Sequence, residues 1–116
     1  MKEIFTVAYL RIHEGKTDEF KAVARECKET VREKDKGTLQ YDWFFDHEEK
    51  TCVVHERYAD SDAMLEHMGN LGETLGRLLG MADLSLELYG APSEEILQAV
   101  EGMDVKLFGY FQGLRD

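Results

Sequence analysis

Basic residues are in short supply in this chain. Its 116 residues carry 14 Lys and Arg against 24 Asp and Glu, a formal net charge of −10. A nucleic-acid binder needs clustered cations to displace counterions from phosphates, so this balance argues against DNA and RNA as partners. It argues equally against anionic membrane surfaces. Long apolar runs are also missing, and none approaches the roughly 20 residues that span a bilayer. The amino terminus, Met-Lys-Glu-Ile-Phe-Thr, lacks the apolar stretch and cleavage site of a signal peptide. The expectation is a cytoplasmic protein.

Cysteine is sparse. Cys27 and Cys52 are the two, with no Cys-x-x-Cys, so neither a zinc site nor a redox pair is suggested. Both read as buried reduced thiols. The four histidines show no HxH or HExxH metal spacing. No Gly-rich phosphate loop, Gly-x-Ser-x-Gly elbow, internal repeat or low-complexity segment is present. What remains suits a globular protein that meets neutral or aromatic small molecules: 43% hydrophobic, 33% charged. The length predicts one domain over residues 1–116, with a core over 1–90 and a helix–strand extension over 91–116.

The pattern along the chain predicts the elements. Residues 3–12 alternate as a strand, with Ile4, Ala8, Leu10 and Ile12 on one face and Phe5, Val7 and Tyr9 on the other. Both faces are mostly apolar, so each must be covered. Residues 16–35 show Phe20, Val23, Ala24, Cys27 and Val31 at helical spacing. Thr17 or Asp18 is the expected cap and Gly37 the stop. The alternating charges from Glu26 to Lys36 read as a solvated face. Residues 38–46 and 51–58 form a hairpin. Leu39, Tyr41, Trp43 and Phe45 share one face of the first strand, and Cys52, Val54, Glu56 and Tyr58 one face of the second.

Asp60 is the expected N-cap of a second helix from Ser61, interrupted by Gly69, Gly72 and Gly76. Residues 83–89 alternate as a fourth strand, and Pro92 suits the first turn of a short helix over 93–101. Residues 105–111 are a last strand, able to extend the sheet edge or to reach across a dimer. The order β-α-β-β-α-β, plus an added α-β, predicts an α+β, ferredoxin-like fold with its two helices on one face of the sheet. A homodimer packed sheet against sheet would cover the other face.

Gly37 to His67 holds the candidate site. His67 is expected to face inward, and an unperturbed pKa near 6.5 suits a base. Glu56 is expected to be partly buried, paired with His67, with a tyrosine, or with a helix Arg or Lys. Trp43 offers an indole N–H and an aromatic wall. Tyr41 and Tyr58 offer ring bodies and hydroxyls, and Met64 lies inward beside His67. Each of these residues also suits plain core packing or a structural hydrogen bond. His13, His47 and His55 lie at a strand end, in a turn, and on the face opposite Glu56.

These residues resemble the antibiotic biosynthesis monooxygenase family of dimeric α/β barrels, and most of all its quinol-monooxygenase-type members. Gly15 and Phe20 resemble the family's loop-then-helix start. Gly37 and Tyr41 resemble its Gly-x-x-x-Tyr strand. Glu56, Tyr58, Asp60, Ala63 and His67 resemble its Glu-x-aromatic-x-Asp-x-x-Ala-x-x-x-His segment. Gly90, Pro92 and the run from Val105 to Phe111 resemble the tail of some members.

The resemblance implies a homodimer with one cavity per protomer, and oxygenation of phenolic, anthrone or quinol-type substrates by O2 without flavin, haem or metal. It implies His67 and Glu56 as catalytic residues, with Trp43, Tyr41, Tyr58 and Met64 against the substrate. Two alternatives stand beside it. One is a non-catalytic binding or stress-related module, favoured if Met64, Met68 and Trp43 fill the cavity and leave no room for a ring. The other is haem binding through His67. Haem-degrading relatives pair such a His with an Asn on the first strand and a Trp; this chain has no Asn there and Tyr58 after Glu56-Arg57.

Overall fold

The computed structural model describes residues 2–115, so Met1 and Asp116, the ends of the expected domain, lie outside the described residues. The elements run β1 (Ile4–Ile12), α1 (Thr17–Lys34), β2 (Thr38–Phe45), β3 (Thr51–Tyr58), α2 (Ser61–Leu71), α3 (Glu73–Leu79), β4 (Ala82–Tyr89), α4 (Glu94–Ala99) and β5 (Val105–Phe108). The fold is α+β and ferredoxin-like, as expected. The five strands form one sheet in the order β2-β3-β1-β4-β5. The first four pair antiparallel; β5 lies parallel on β4, so the last strand extends the sheet edge.

Strand alternation sorts the side chains. Ile4, Thr6, Ala8 and Leu10 of β1 are buried, as are Cys52, Val54 and Tyr58 of β3 and Leu86 and Leu88 of β4. Helix α1 closes over this face with Phe20, Val23, Cys27 and Val31, the stripe expected from the sequence. Phe20 is fully buried and meets the rings of Trp43 and Phe45 edge-on. A phenylalanine removed from water in this way stabilises the fold by about 2–3 kcal/mol. Both cysteines are buried and free, and burial lifts each thiol to a pKa of about 11.

Several local expectations are corrected. The N-cap of α1 is Lys16, with no side-chain cap, rather than Thr17 or Asp18. Gly15, at φ +79°, turns the chain into the helix instead. A bulge between Thr38 and Gln40 breaks the alternation of β2. Thr38, not Leu39, lies opposite Tyr58, and Leu39 is half exposed. Pro92 precedes the Ser93 cap of α4 rather than sitting in its first turn. The last strand stops at Phe108.

Other expectations match what is seen. Asp60 caps α2 by accepting from the backbone N–H of Ala63 at 2.8 Å. The glycine-rich stretch breaks the helix at Gly72, whose φ of +48° ends α2 and opens α3 at a new angle.

Candidate functional site

Two close approaches assemble the site. Gly37, in the turn from α1 into β2, has no side chain where α2 crosses it; a Cβ there would lie 2.5 Å from that of Ala63. The Gly37 carbonyl also accepts from the N–H of Ala59 at 2.9 Å, and the N–H of Lys36 donates to Glu66 on α2 at 2.9 Å. The glycine thus lets α2 sit down on the start of the hairpin. One turn beyond Ala63, His67 is thereby pressed against the end of α1 and the face of β3.

His67 is buried between two carboxylates. Its Nδ1 lies 2.7 Å from Asp35 Oδ2 and its Nε2 lies 3.3 Å from Glu56 Oε1. Burial alone would lower the pKa of this imidazole. The hydrogen bond and charge of Glu56, and then those of Asp35, outweigh it and raise the pKa. A carboxylate oxygen faces each ring nitrogen, so both nitrogens can donate when the ring is protonated. The two carboxylates thus favour the protonated ring over the free base that an unperturbed pKa suggests.

Asp35 is the member of this network that sequence reasoning missed. It falls in the charged run read as a solvated face, yet its side chain is 1% exposed. Burial would raise its pKa, but hydrogen bonds from Asn70 at 2.8 Å, Thr38 at 2.6 Å and His67 lower it overall. Asp35 is the first residue past α1, in extended conformation, so its side chain turns inward at the point where helical periodicity no longer applies. No spacing rule reaches that position.

Glu56 lies mostly buried at the centre of β3. The Tyr58 hydroxyl donates to its Oε1 at 2.5 Å, and His67 shares the same oxygen. Glu56 therefore pairs with both partners named for it, histidine and tyrosine, and not with a helix Arg or Lys. Burial, followed by the charge and hydrogen bond of Glu56, holds Tyr58 far above the ordinary phenol pKa. Tyr41 stands on β2 directly across from Glu56. Its ring packs against His67 and Trp43. Burial raises Tyr41 as well. Both tyrosines are thus neutral, and the Tyr58 hydroxyl is already engaged.

These groups border a cavity of about 80 Å³ between the sheet and helices α2 and α3. That is several times the space one water needs. All six residues singled out from the sequence, Tyr41, Trp43, Glu56, Tyr58, Met64 and His67, line it. Thr6 and Ala8, small residues on the central strand, leave the room beneath the helices. Two lining side chains have polar atoms buried without a partner among the described residues: the indole N–H of Trp43 and the hydroxyl of Thr6. A buried polar atom left unpaired costs about 1–3 kcal/mol, so each calls for an ordered water or a ligand atom as partner.

The remaining histidines lie apart. His13 pairs with Asp83 at the surface, and His55 sits between Phe5 and Phe44 on the other sheet face. No group of three or more His, Cys, Asp or Glu among the described residues is placed to hold a metal ion.

A family model for the antibiotic biosynthesis monooxygenases matches residues 3–71, the segment from β1 through α2 that carries Asp35, Glu56 and His67. The chain belongs to the antibiotic biosynthesis monooxygenase family. No curated protein matches this sequence. Among solved structures, MupZ from Pseudomonas fluorescens superposes with a TM-score of 0.85 at 21% identity, covering 98% of this chain and 94% of its own. A Caulobacter crescentus protein assigned to the same family gives a TM-score of 0.70 at 25% identity, covering 79% of this chain and 92% of its own. SnoaB, a cofactor-independent oxygenase from Streptomyces nogalater, gives 0.67 at 18% identity, over 80% and 96%. At such identities the likeness is one of fold. The sheet and its helices carry the cavity, and the residues inside it must supply the chemistry.

Proposed function

We propose that this protein oxygenates a phenolic, quinol or anthrone-type small molecule with O2, without an added cofactor. One observation carries the reading: a buried carboxylate–imidazole pair opens on an apolar cavity beside an unpartnered indole N–H. Both contacts of Glu56 use Oε1, which leaves Oε2 for a ligand. Glu56 is the proton acceptor, His67 holds its orientation and charge, and Asp35 fixes the position of His67. The Trp43 N–H donates to the oxygen of the substrate anion.

For an anthrone-type substrate the atoms balance simply: the ring methylene and one molecule of O2 become a ketone carbonyl and one molecule of water. Glu56 takes the first proton. The carbanion passes one electron to O2, and the resulting radical and superoxide combine to a peroxide. Breakage of the O–O bond with loss of water leaves the carbonyl. A dry cavity favours electron transfer from the anion by removing competing hydration.

Haem binding through His67 is not supported, because both ring nitrogens are already held by carboxylates. The non-catalytic module keeps support from packing, since the space of about 80 Å³ that Met64, Met68 and Trp43 border is less than an aromatic ring occupies. The test is oxygen consumption by metal-free protein on a panel of anthrones and quinols. Glu56→Gln should lose at least a hundredfold in rate, and His67→Ala should lose less. Wild-type uptake no faster than the spontaneous rate across the panel, or full activity in Glu56→Gln, would defeat this assignment.

The protein is also proposed to act as a homodimer through the bare sheet face. Phe5, Tyr9, Tyr89 and Phe108 of that face form an aromatic strip, and Phe44 is 51% exposed. Light scattering should give twice the mass of the chain for the wild type and a monomer for Phe44→Glu combined with Phe5→Glu. A monomeric wild type at micromolar concentration would remove the dimer.

A further inference from the structure

The cavity is chemically divided along its length. It spans the sheet from β2 and β3, across β1, to β4 and the segment before β5. Three strand spacings amount to roughly 14 Å. The polar lining residues are Thr6, Glu56 and His67, and the aromatic ones are Tyr41, Trp43 and Tyr58. Register places Thr6, Glu56 and Tyr41 in one row across β1, β3 and β2, with Trp43 in the next row on β2. Beyond β1 the lining changes completely. Leu84 and Leu86 of β4, Leu75 and Leu79 of α3, and Val100 and Met103 of the carboxy-terminal segment form that half. It presents neither a polar side chain nor an aromatic ring.

We infer that the substrate is an amphiphile: an oxygenated aromatic head between Trp43 and Glu56, and an unbranched hydrocarbon arm running toward Met103. The head meets every hydrogen-bonding group of the cavity, including the two unpartnered ones. Any polar atom further along would be buried with nothing to pair with, which disfavours glycosylated or polyhydroxylated ring systems. At about 80 Å³ the cavity is smaller than ring and arm together, so its leucine and methionine walls must yield to admit them, methionine most readily. Val100 and Met103 lie beyond residue 71, where the match to the family model ends, so this arm site belongs to the carboxy-terminal segment. The assignment of the head rests on the oxygenase reading above; that of the arm does not.

The experiment is calorimetric titration, without O2, of hydroquinone, 2-propylhydroquinone, 2-hexylhydroquinone and 2-(6-hydroxyhexyl)hydroquinone. Affinity should rise about fourfold for each methylene buried. The terminal hydroxyl should cost about tenfold or more. Met103→Phe and Leu84→Phe, each verified as folded by its melting curve, should keep propyl affinity and lose at least tenfold on the hexyl compound. The pair guards against either variant failing to fold.

A gain under twofold from propyl to hexyl, an unpenalised hydroxyl, or variants that bind hexyl like the wild type would overturn the arm. Oxygen uptake measured on the same compounds separates the two readings. A chain-length gain without uptake upholds the arm and removes the quinol form of the oxygenase. Uptake without a chain-length gain does the reverse.

Discussion

Gly37 and Ala63 stand so close that a methyl on the first would come within 2.5 Å of the methyl on the second. The two residues lie in different elements, and their contact sets the height of α2 above the hairpin. Gly37→Ala should therefore destabilise the protein by about 2–3 kcal/mol through overpacking. The loss should appear as a lower urea midpoint with an unchanged slope. Adding Ala63→Gly should recover part of it, because the double variant removes the clash while costing about 1 kcal/mol of helix propensity. Strictly additive losses would show that the two positions do not share this contact.

Asp35 anchors His67 from the side away from the cavity. Asp35→Ala should cost roughly 3 kcal/mol, since it leaves the buried His67 ring with one carboxylate and strands the amide of Asn70. The pKa of His67, followed by NMR titration of the ring, should fall in this variant because one of the two charges raising it is gone. An unchanged titration would mean that Glu56 alone sets the state of the ring.

The stability of the protein should depend on pH through His67. Its folded pKa is raised, so the folded state holds this proton more tightly than the unfolded chain does. That contribution is complete below the unfolded value of about 6.5 and is lost as pH rises through the folded one. Asp35 has the opposite sign: its folded pKa is lowered, so its contribution is present above about 3.9 and is lost in acid as pH falls through the folded value. Chemical denaturation from about pH 6 to 8, below the range where the buried thiols contribute, should show a downward slope in the wild type that is absent in His67→Gln. Equal slopes would place the titrating group elsewhere.

Thr6 is fully buried and its hydroxyl has no partner among the described residues. Thr6→Val keeps the shape and removes the unpaired atom. The ligand-free protein should gain about 1 kcal/mol, read as a melting temperature higher by several degrees. Substrate affinity should fall in the same variant. A protein both less stable and unchanged in binding would mean that the hydroxyl is satisfied by ordered water.

Much of this architecture was legible in the residues themselves. Alternation along Ile4–Ile12 and the stripe from Phe20 to Val31 identify a strand and a helix because each repeats a period with a physical cause. Asp60 marked its helix start by the chemistry of its side chain. Glu56 and His67 were found together because both lie on periodic elements whose inner faces can be counted. Asp35, Thr38 and Asn70 were not found. Asp35 lies just past the point where the helical period ends, and Thr38 changes face through a bulge that composition does not announce. The raised pKa of His67 was only partly legible, because its larger cause, Glu56, lies on a countable strand face while the second, Asp35, lies 32 positions away in the chain.

Strand β5 has a consequence for solubility. The outward amides of β4 are taken up by it: Leu86 donates to the Asp104 carbonyl at 2.8 Å and Gly90 to that of Phe108 at 2.9 Å. The opposite border, β2, is broken by its bulge and bears Asp42. A chain cut after Gly102 would keep the residues of the carboxylate–imidazole network. It would also bare Leu86–Tyr89, the half of β4 that β5 covers, and leave a continuous edge along the 8 residues Ala82–Tyr89. Such an edge recruits further strands from neighbouring molecules. The 4 residues Val105–Phe108 thus act as a stopper against fibrous growth.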